Sequence, residues 1–166
     1  MRNLFHLLLA AAALLACPGY SASNPQNGSL SFYLVSDVKL EGGRYIDTVE
    51  FPKLGYIAAQ PDLVVTQLVA VRETVTHPFM LTPGKDGALA QTPLPDRPAL
   101  EIQILPKDSQ QLEALTQDNI GKQMLMMVDG MPLIAPRINS PIATQTFQLT
   151  AGNQKVIEDA LKKLVH

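Results

Sequence analysis

The spacing of apolar residues over the last seventy positions constrains this chain more tightly than any other feature. Residues 99–105 place Leu100, Ile102 and Ile104 between Glu101 and Gln103, the two-residue period of a half-buried strand. Pro106 removes a backbone donor and ends that strand. Asp108, with Gln111 three residues on, has capping-box spacing, and Leu112, Leu115 and Ile120 then lie near one helical face that Gly121 closes. Residues 124–128 are apolar at every position, which predicts a strand covered on both faces. Asp129-Gly130 is a tight-turn dipeptide, and Met131–Ile134 returns as its hairpin partner. Pro132 and Pro136 assign that partner to an edge. Residues 144–150, around Phe147 and Leu149, alternate again. Asn153 then caps a last helix that carries Val156, Ile157, Ala160, Leu161, Leu164 and Val165 at helical spacing. The order β–α–β–β–β–α predicts an α+β fold: an antiparallel or mixed sheet with helices packed on one side.

The first half punctuates less clearly. Residues 30–35 are apolar and β-prone, and Gly42-Gly43 marks a turn before a second strand over 45–51. Residues 63–75, introduced by Pro61-Asp62 and rich in β-branched side chains, predict one long strand. Residues 76–98 hold Pro78, Pro83, Pro93, Pro95 and Pro98 with Gly84 and Gly87. Regular structure lapses there, giving a loop or an irregular hairpin between two strands.

Arg2 precedes an apolar run over residues 4–16 that only His6 interrupts. It is too short to cross a hydrocarbon core as a helix, but it has the length of a secretory leader. The chain therefore divides into a signal peptide (1–16), a Ser/Asn/Pro/Gly-rich linker (17–29) and one domain (30–166). Cys17 is the only cysteine, so no intramolecular disulfide is available. Following Leu14-Leu15-Ala16, it is similar to the lipobox cysteine of bacterial lipoproteins. That similarity implies acylation of Cys17 and a lipid anchor in the cell envelope. Ordinary leader cleavage near Ala22 or Ser23 is the alternative.

Composition narrows the function. Net charge is −2, aromatic residues are 5% and Trp is absent, so neither a basic stripe nor a base-stacking surface for nucleic acid is visible. After the leader the histidines are His77 and His166. With Cys17 alone, no Cys/His nucleophile pair or Cys-based metal site can be assembled. No G-x-S-x-G elbow occurs, and Gly84-Lys85-Asp86-Gly87 lacks the P-loop pattern. Asp118 and Asp129 read as helix-end and turn residues. No motif implies a cofactor, and the expectation is a binding domain without catalysis. Met124, Met126, Met127 and Met131 either fill the core or offer an adaptable peptide surface.

The tail carries a resemblance. Thr116, Asn119, Gly121 and Lys122, then Val128-Asp129-Gly130, then Ala135-Pro136-Arg137-Ile138 and Pro141-Ile142 occur in this order. Residues 99–166 thus resemble the periplasmic head subdomain of SecD, part of the SecDF accessory complex of protein secretion. The resemblance implies a ferredoxin-like sheet with helices on one face. It also implies a periplasmic location and contact with translocated polypeptide or another envelope protein. Carried onto this chain, its motif residues make Asn119, Asp129, Gly130, Pro136 and Arg137 the candidate contacts. Two departures matter. Nothing after the leader is apolar for long enough to form a proton-conducting membrane segment. The glycine-rich turn usual after the Pro-Ile pair is replaced by Ala143-Thr144-Gln145-Thr146.

Overall fold

The computed structural model describes residues 28–83, 88–150 and 153–165. The leader, Cys17 and the linker as far as residue 27 lie outside the described residues. The elements in chain order are β1 (Leu30–Val35), β2 (Arg44–Ile46), β3 (Gly55–Ile57), β4 (Leu63–Val65), β5 (Leu68–Thr76), β6 (Phe79–Pro83), β7 (Leu89–Pro93), β8 (Arg97–Ile104), α1 (Pro106–Gln117), β9 (Gln123–Val128), β10 (Met131–Ile134), β11 (Thr146–Thr150) and α2 (Gln154–Val165). The α+β class expected from the apolar periods is the class observed.

Strand pairing is antiparallel throughout these sheets and divides the main strands into two, where one sheet was expected. The first has the order β10-β9-β1-β4 and the second β11-β8-β5. The chain crosses between them at Thr66-Gln67, inside the stretch read from sequence as one strand. The cause lies in the apolar phase. Leu63 and Val65 point inward from β4, whereas the next inward residue is Leu68. An unbroken strand would put Leu68 on the opposite face from the other two. Ending β4 and restarting as β5 buries all three.

β9 is the middle of the molecule. Its residues 124–128 are all buried, as their uninterrupted apolarity predicted. Met124, Met126 and Val128 join Leu30, Phe32 and Leu133 in the main core, which α1, α2 and the second sheet complete. Leu125 and Met127 face the other way and pack with Ile46 and Ile57, flanked by Tyr33, Phe51 and Leu54. The first sheet is therefore sandwiched between a β2–β3 layer and a helix-plus-sheet layer. Of the two readings of the methionine run, core filling is the one observed for Met124, Met126 and Met127.

Helix α2 forms as its spacing predicts. The Asn153 side-chain oxygen accepts the Lys155 N–H at 2.8 Å, and Ile157, Ala160 and Leu164 are buried. Each fully buried Ile or Leu contributes about 1.5–3 kcal/mol. Val165, expected on the same face, is exposed, because the helix ends there. Helix α1 starts earlier than read: Leu105 is its N-cap, with no side-chain cap, and Pro106 opens the first turn. Proline's fixed φ is preorganised for that position. Asp108 instead lies buried within the turn, its N–H bonded to the Leu105 carbonyl at 3.0 Å.

The proline-rich stretch holds a hairpin, β6 with β7, whose residues are exposed at nearly every position. Chain entry is also ordered before β1. Gly28 is buried, and a Cβ there would lie 2.4 Å from the Leu164 Cα. Among the described residues, no helix is long and apolar enough to cross a membrane.

Candidate functional site

Among the described residues, the β10 strand pairs with β9 on one side only. Along its other side runs an open groove of about 860 Å³. Its floor is Met131, Pro132, Leu133, Ile134, Ala135 and Pro136. Side chains of successive strand residues point to opposite faces, so six consecutive residues line one groove only if the strand presents its edge.

Local sequence builds that edge. Asp129 and Gly130 both take positive φ, 43° and 78°, as a two-residue type I′ turn requires. Val128 opposes Met131 next to the turn as the hydrogen-bonded closing pair, so Pro132, opposite Met127, has its backbone groups directed away from β9. Its missing N–H therefore removes nothing from the ladder, and its carbonyl faces the groove. A register shift between Pro132 and Ile134 adds local twist. Beyond it, the Gln123 side chain donates to the Ala135 carbonyl at 2.8 Å, and Met124 N–H to the Pro136 carbonyl at 2.9 Å. These bonds hold the strand's exit against β9.

The walls come from the two layers that sandwich the first sheet. Thr48, Glu50 and Phe51, which precede β3, form one. The end of β11 and the first turns of α2 form the other, with Thr150, Asn153, Lys155, Val156 and Asp159. Phe51 and Val156 give each wall a half-buried apolar side chain, while Glu50, Asp159 and Lys155 supply charge. The slot is thus a free strand edge between apolar walls, with Glu50 on one wall facing Lys155 on the other and Asp159 paired with Lys162 at 3.9 Å.

The candidate contacts read from the motifs do not assemble into one surface. Asn119 and Arg137 gather at the start of β9. The Asn119 amide donates to the Leu115 carbonyl at 2.8 Å, and its oxygen accepts Lys122 Nζ at 2.8 Å. Arg137 Nη1 donates to the Gly121 carbonyl at 2.6 Å. Asp129 and Gly130 sit at the other end of β9, roughly 20 Å away at strand rise. Pro136 is the one of the five that lines the groove. Phe51, Glu50 and Val156 had no signal in the sequence, since only tertiary structure brings them beside β10. Met131 and Pro132 carried a partial one, in the edge-strand reading.

Outside the groove, His77 Nδ1 lies 2.7 Å from Asp96 Oδ1, with both side chains exposed. Among the described residues, no three His, Cys, Asp or Glu side chains gather closely enough to hold a metal ion.

No family model matches the chain, and no curated protein sequence does. Solved structures do match. One, described as a membrane component SecDF that enhances protein export, superposes with a TM-score of 0.50 at 20% identity. That match covers 84% of this chain and 61% of the other. The chain shares its fold with part of SecDF. A second SecDF structure, in a super-membrane-facing form, gives a TM-score of 0.51 at 19% identity, covering 84% of this chain and 18% of that one. This chain is therefore shorter than the SecDF chains it matches, and its likeness to them is to part of their length. The SecD-like character read from the tail motifs is borne out by a likeness of fold that extends well beyond residues 99–166.

Proposed function

We propose that this chain is a non-catalytic cell-envelope domain linked to protein export, and that it binds extended polypeptide in the β10 groove. The observation that carries the reading is the groove itself: an unpaired strand edge forms the floor and two packed layers form the walls. An unfolded segment has unpaired backbone groups and alternating side chains, which such a slot accommodates. The fold shared with an export component supports the same reading, as does the leader-like run over residues 4–16.

Cys17 acylation is part of the proposal. Ten residues separate Cys17 from Gly28, a reach of at most roughly 35 Å, so a lipid anchor would hold the domain close to a bilayer on its periplasmic side. Changing Cys17→Ser should release the protein from the membrane fraction. Unchanged fractionation would remove the anchor and leave the groove reading intact.

The groove is tested by placing a photo-crosslinking amino acid at Ile134 in cells and stalling a defined exported precursor in translocation. A crosslink between Ile134 and that precursor is expected, with none from the exposed Ile120 of the α1–β9 connection. Equal yields from both positions, or none from Ile134, would overturn the assignment.

A second reading is a self-assembling envelope protein without a transport role. The exposed Phe79, Met80, Leu81 and Leu89 of the β6–β7 hairpin favour it, because such a cluster loses contact with water on association. Sedimentation decides it: a defined homo-oligomer that ignores peptides supports this second reading, and a monomer removes it.

A further inference from the structure

We propose that the groove takes its polypeptide as an added β-strand, paired through its backbone with the free edge of β10. This rests on the reading above that the groove binds polypeptide, and it specifies how.

The floor is the edge of a twisted antiparallel sheet, and an extended chain laid along it continues the ladder β10-β9-β1-β4 by one strand. The walls decide that the occupant is a single strand. Phe51 stands on one side of the sheet plane and Val156 on the other, so alternate side chains of an added strand meet one wall or the other. Because the bonds are to backbone, the groove would accept many sequences, as a protein handling diverse segments must.

Edge strands invite indiscriminate pairing, and proteins blunt them with proline, bulges and charge. β10 carries the first two, in Pro132 and the register shift after it. Pro132 leaves a carbonyl without a companion N–H on the open side, so the edge has one donor fewer than an ordinary strand would. Pairing is thereby kept short and reversible. Asp159 is paired with Lys162 at 3.9 Å, and Glu50 is balanced by Lys155 on the opposite wall, so the walls set no charge preference and the backbone edge alone selects the occupant.

The test uses the isotope-labelled full chain and a synthetic eight-residue peptide that alternates Val and Thr between terminal lysines. Two further versions are N-methylated at odd or at even positions, which removes the N–H donors from one edge of the extended peptide at a time. Binding of the parent should shift the amide signals of Met131, Leu133, Ile134 and Ala135. One methylated version should bind roughly tenfold more weakly, from the loss of about two hydrogen bonds, and the other should bind nearly as the parent does. If both methylated versions match the parent while groove signals still shift, strand addition is wrong and polypeptide binding stands. If the unmodified peptide leaves the groove signals unmoved, the polypeptide reading itself falls.

Discussion

Asp129 holds Ser29: its Oδ1 accepts the Ser29 backbone N–H at 3.0 Å and the Ser29 hydroxyl at 2.8 Å. The backbone returns the contact, with Asp129 N–H donating to the Ser29 carbonyl at 3.1 Å. The turn that starts β10 is therefore clamped to the residue where the chain enters β1. Asp129 also sits at φ 43°, a conformation that Asp and Asn tolerate and alanine does not. Asp129→Ala should destabilise the domain by about 2 kcal/mol, combining lost hydrogen bonds with backbone strain. Asp129→Asn keeps an acceptor and the turn preference, and should lose less than half of that. Denaturant midpoints of the two variants measure this, and equal midpoints would show that the clamp carries no energy.

The same entry depends on Gly28. Any Cβ there meets the Leu164 Cα at 2.4 Å and the Lys163 carbonyl oxygen at 2.7 Å. Both are backbone atoms, which cannot swing aside as a side-chain end can. Gly28→Ala should push the entering segment off the last turn of α2 and lower stability by about 1–3 kcal/mol. Hydrogen exchange should rise locally, at Leu164 and at the Ser29–Asp129 clamp. A wild-type exchange pattern would mean that the two segments do not touch in solution.

Thr116 shows why the tail motif reads so clearly without being a contact site. Its side chain is fully buried. The hydroxyl donates to the Leu112 carbonyl at 2.7 Å and accepts the Ile142 N–H at 2.9 Å, tying the end of α1 to the segment that leads to β11. Thr116→Val preserves shape but strands the Ile142 N–H without an acceptor, at about 1–3 kcal/mol. Thr116→Ser keeps both bonds and removes one methyl, at about 1 kcal/mol. The expected order in thermal unfolding is wild type, then Ser, then Val. A valine variant as stable as the serine one would mean that the Ile142 N–H finds water.

What the sequence made legible follows from how far each signal reaches. Helix α2 was readable because Ile157, Ala160 and Leu164 repeat within one element, and β9 because five apolar residues in a row need cover on both faces. The Asp129-Gly130 turn is local chemistry as well. The break between β4 and β5 was present in the text as the phase slip from Leu63 and Val65 to Leu68, and β-branched content obscured it. Asp108 has capping-box spacing, but Pro106 opens the helix three residues ahead of the start that a cap at Asp108 would set. The groove was out of reach. Phe51 and Val156 lie more than a hundred residues apart, and nothing local to either marks it as a wall of the β10 slot.

The β6–β7 hairpin contributes little to the body. The described strands of the hairpin, Phe79–Pro83 and Leu89–Pro93, are exposed almost throughout, and a lone two-stranded hairpin is marginal in water. Its base is closed by the Leu94 N–H bonded to the Pro78 carbonyl at 2.8 Å, so Pro78 and Leu94 already stand as neighbours across a ladder. Replacing residues 79–93 with Asn-Gly would join them through a two-residue turn suited to that geometry. The shortened protein should keep its melting temperature to within a few degrees, because the removed strands bury no part of the core. It should also bind the lysine-flanked peptide as the full chain does, since the groove lies along β10. Loss of cooperative unfolding in this variant would show that the hairpin stabilises the second sheet. Loss of peptide binding with folding intact would move the polypeptide site from β10 to the hairpin.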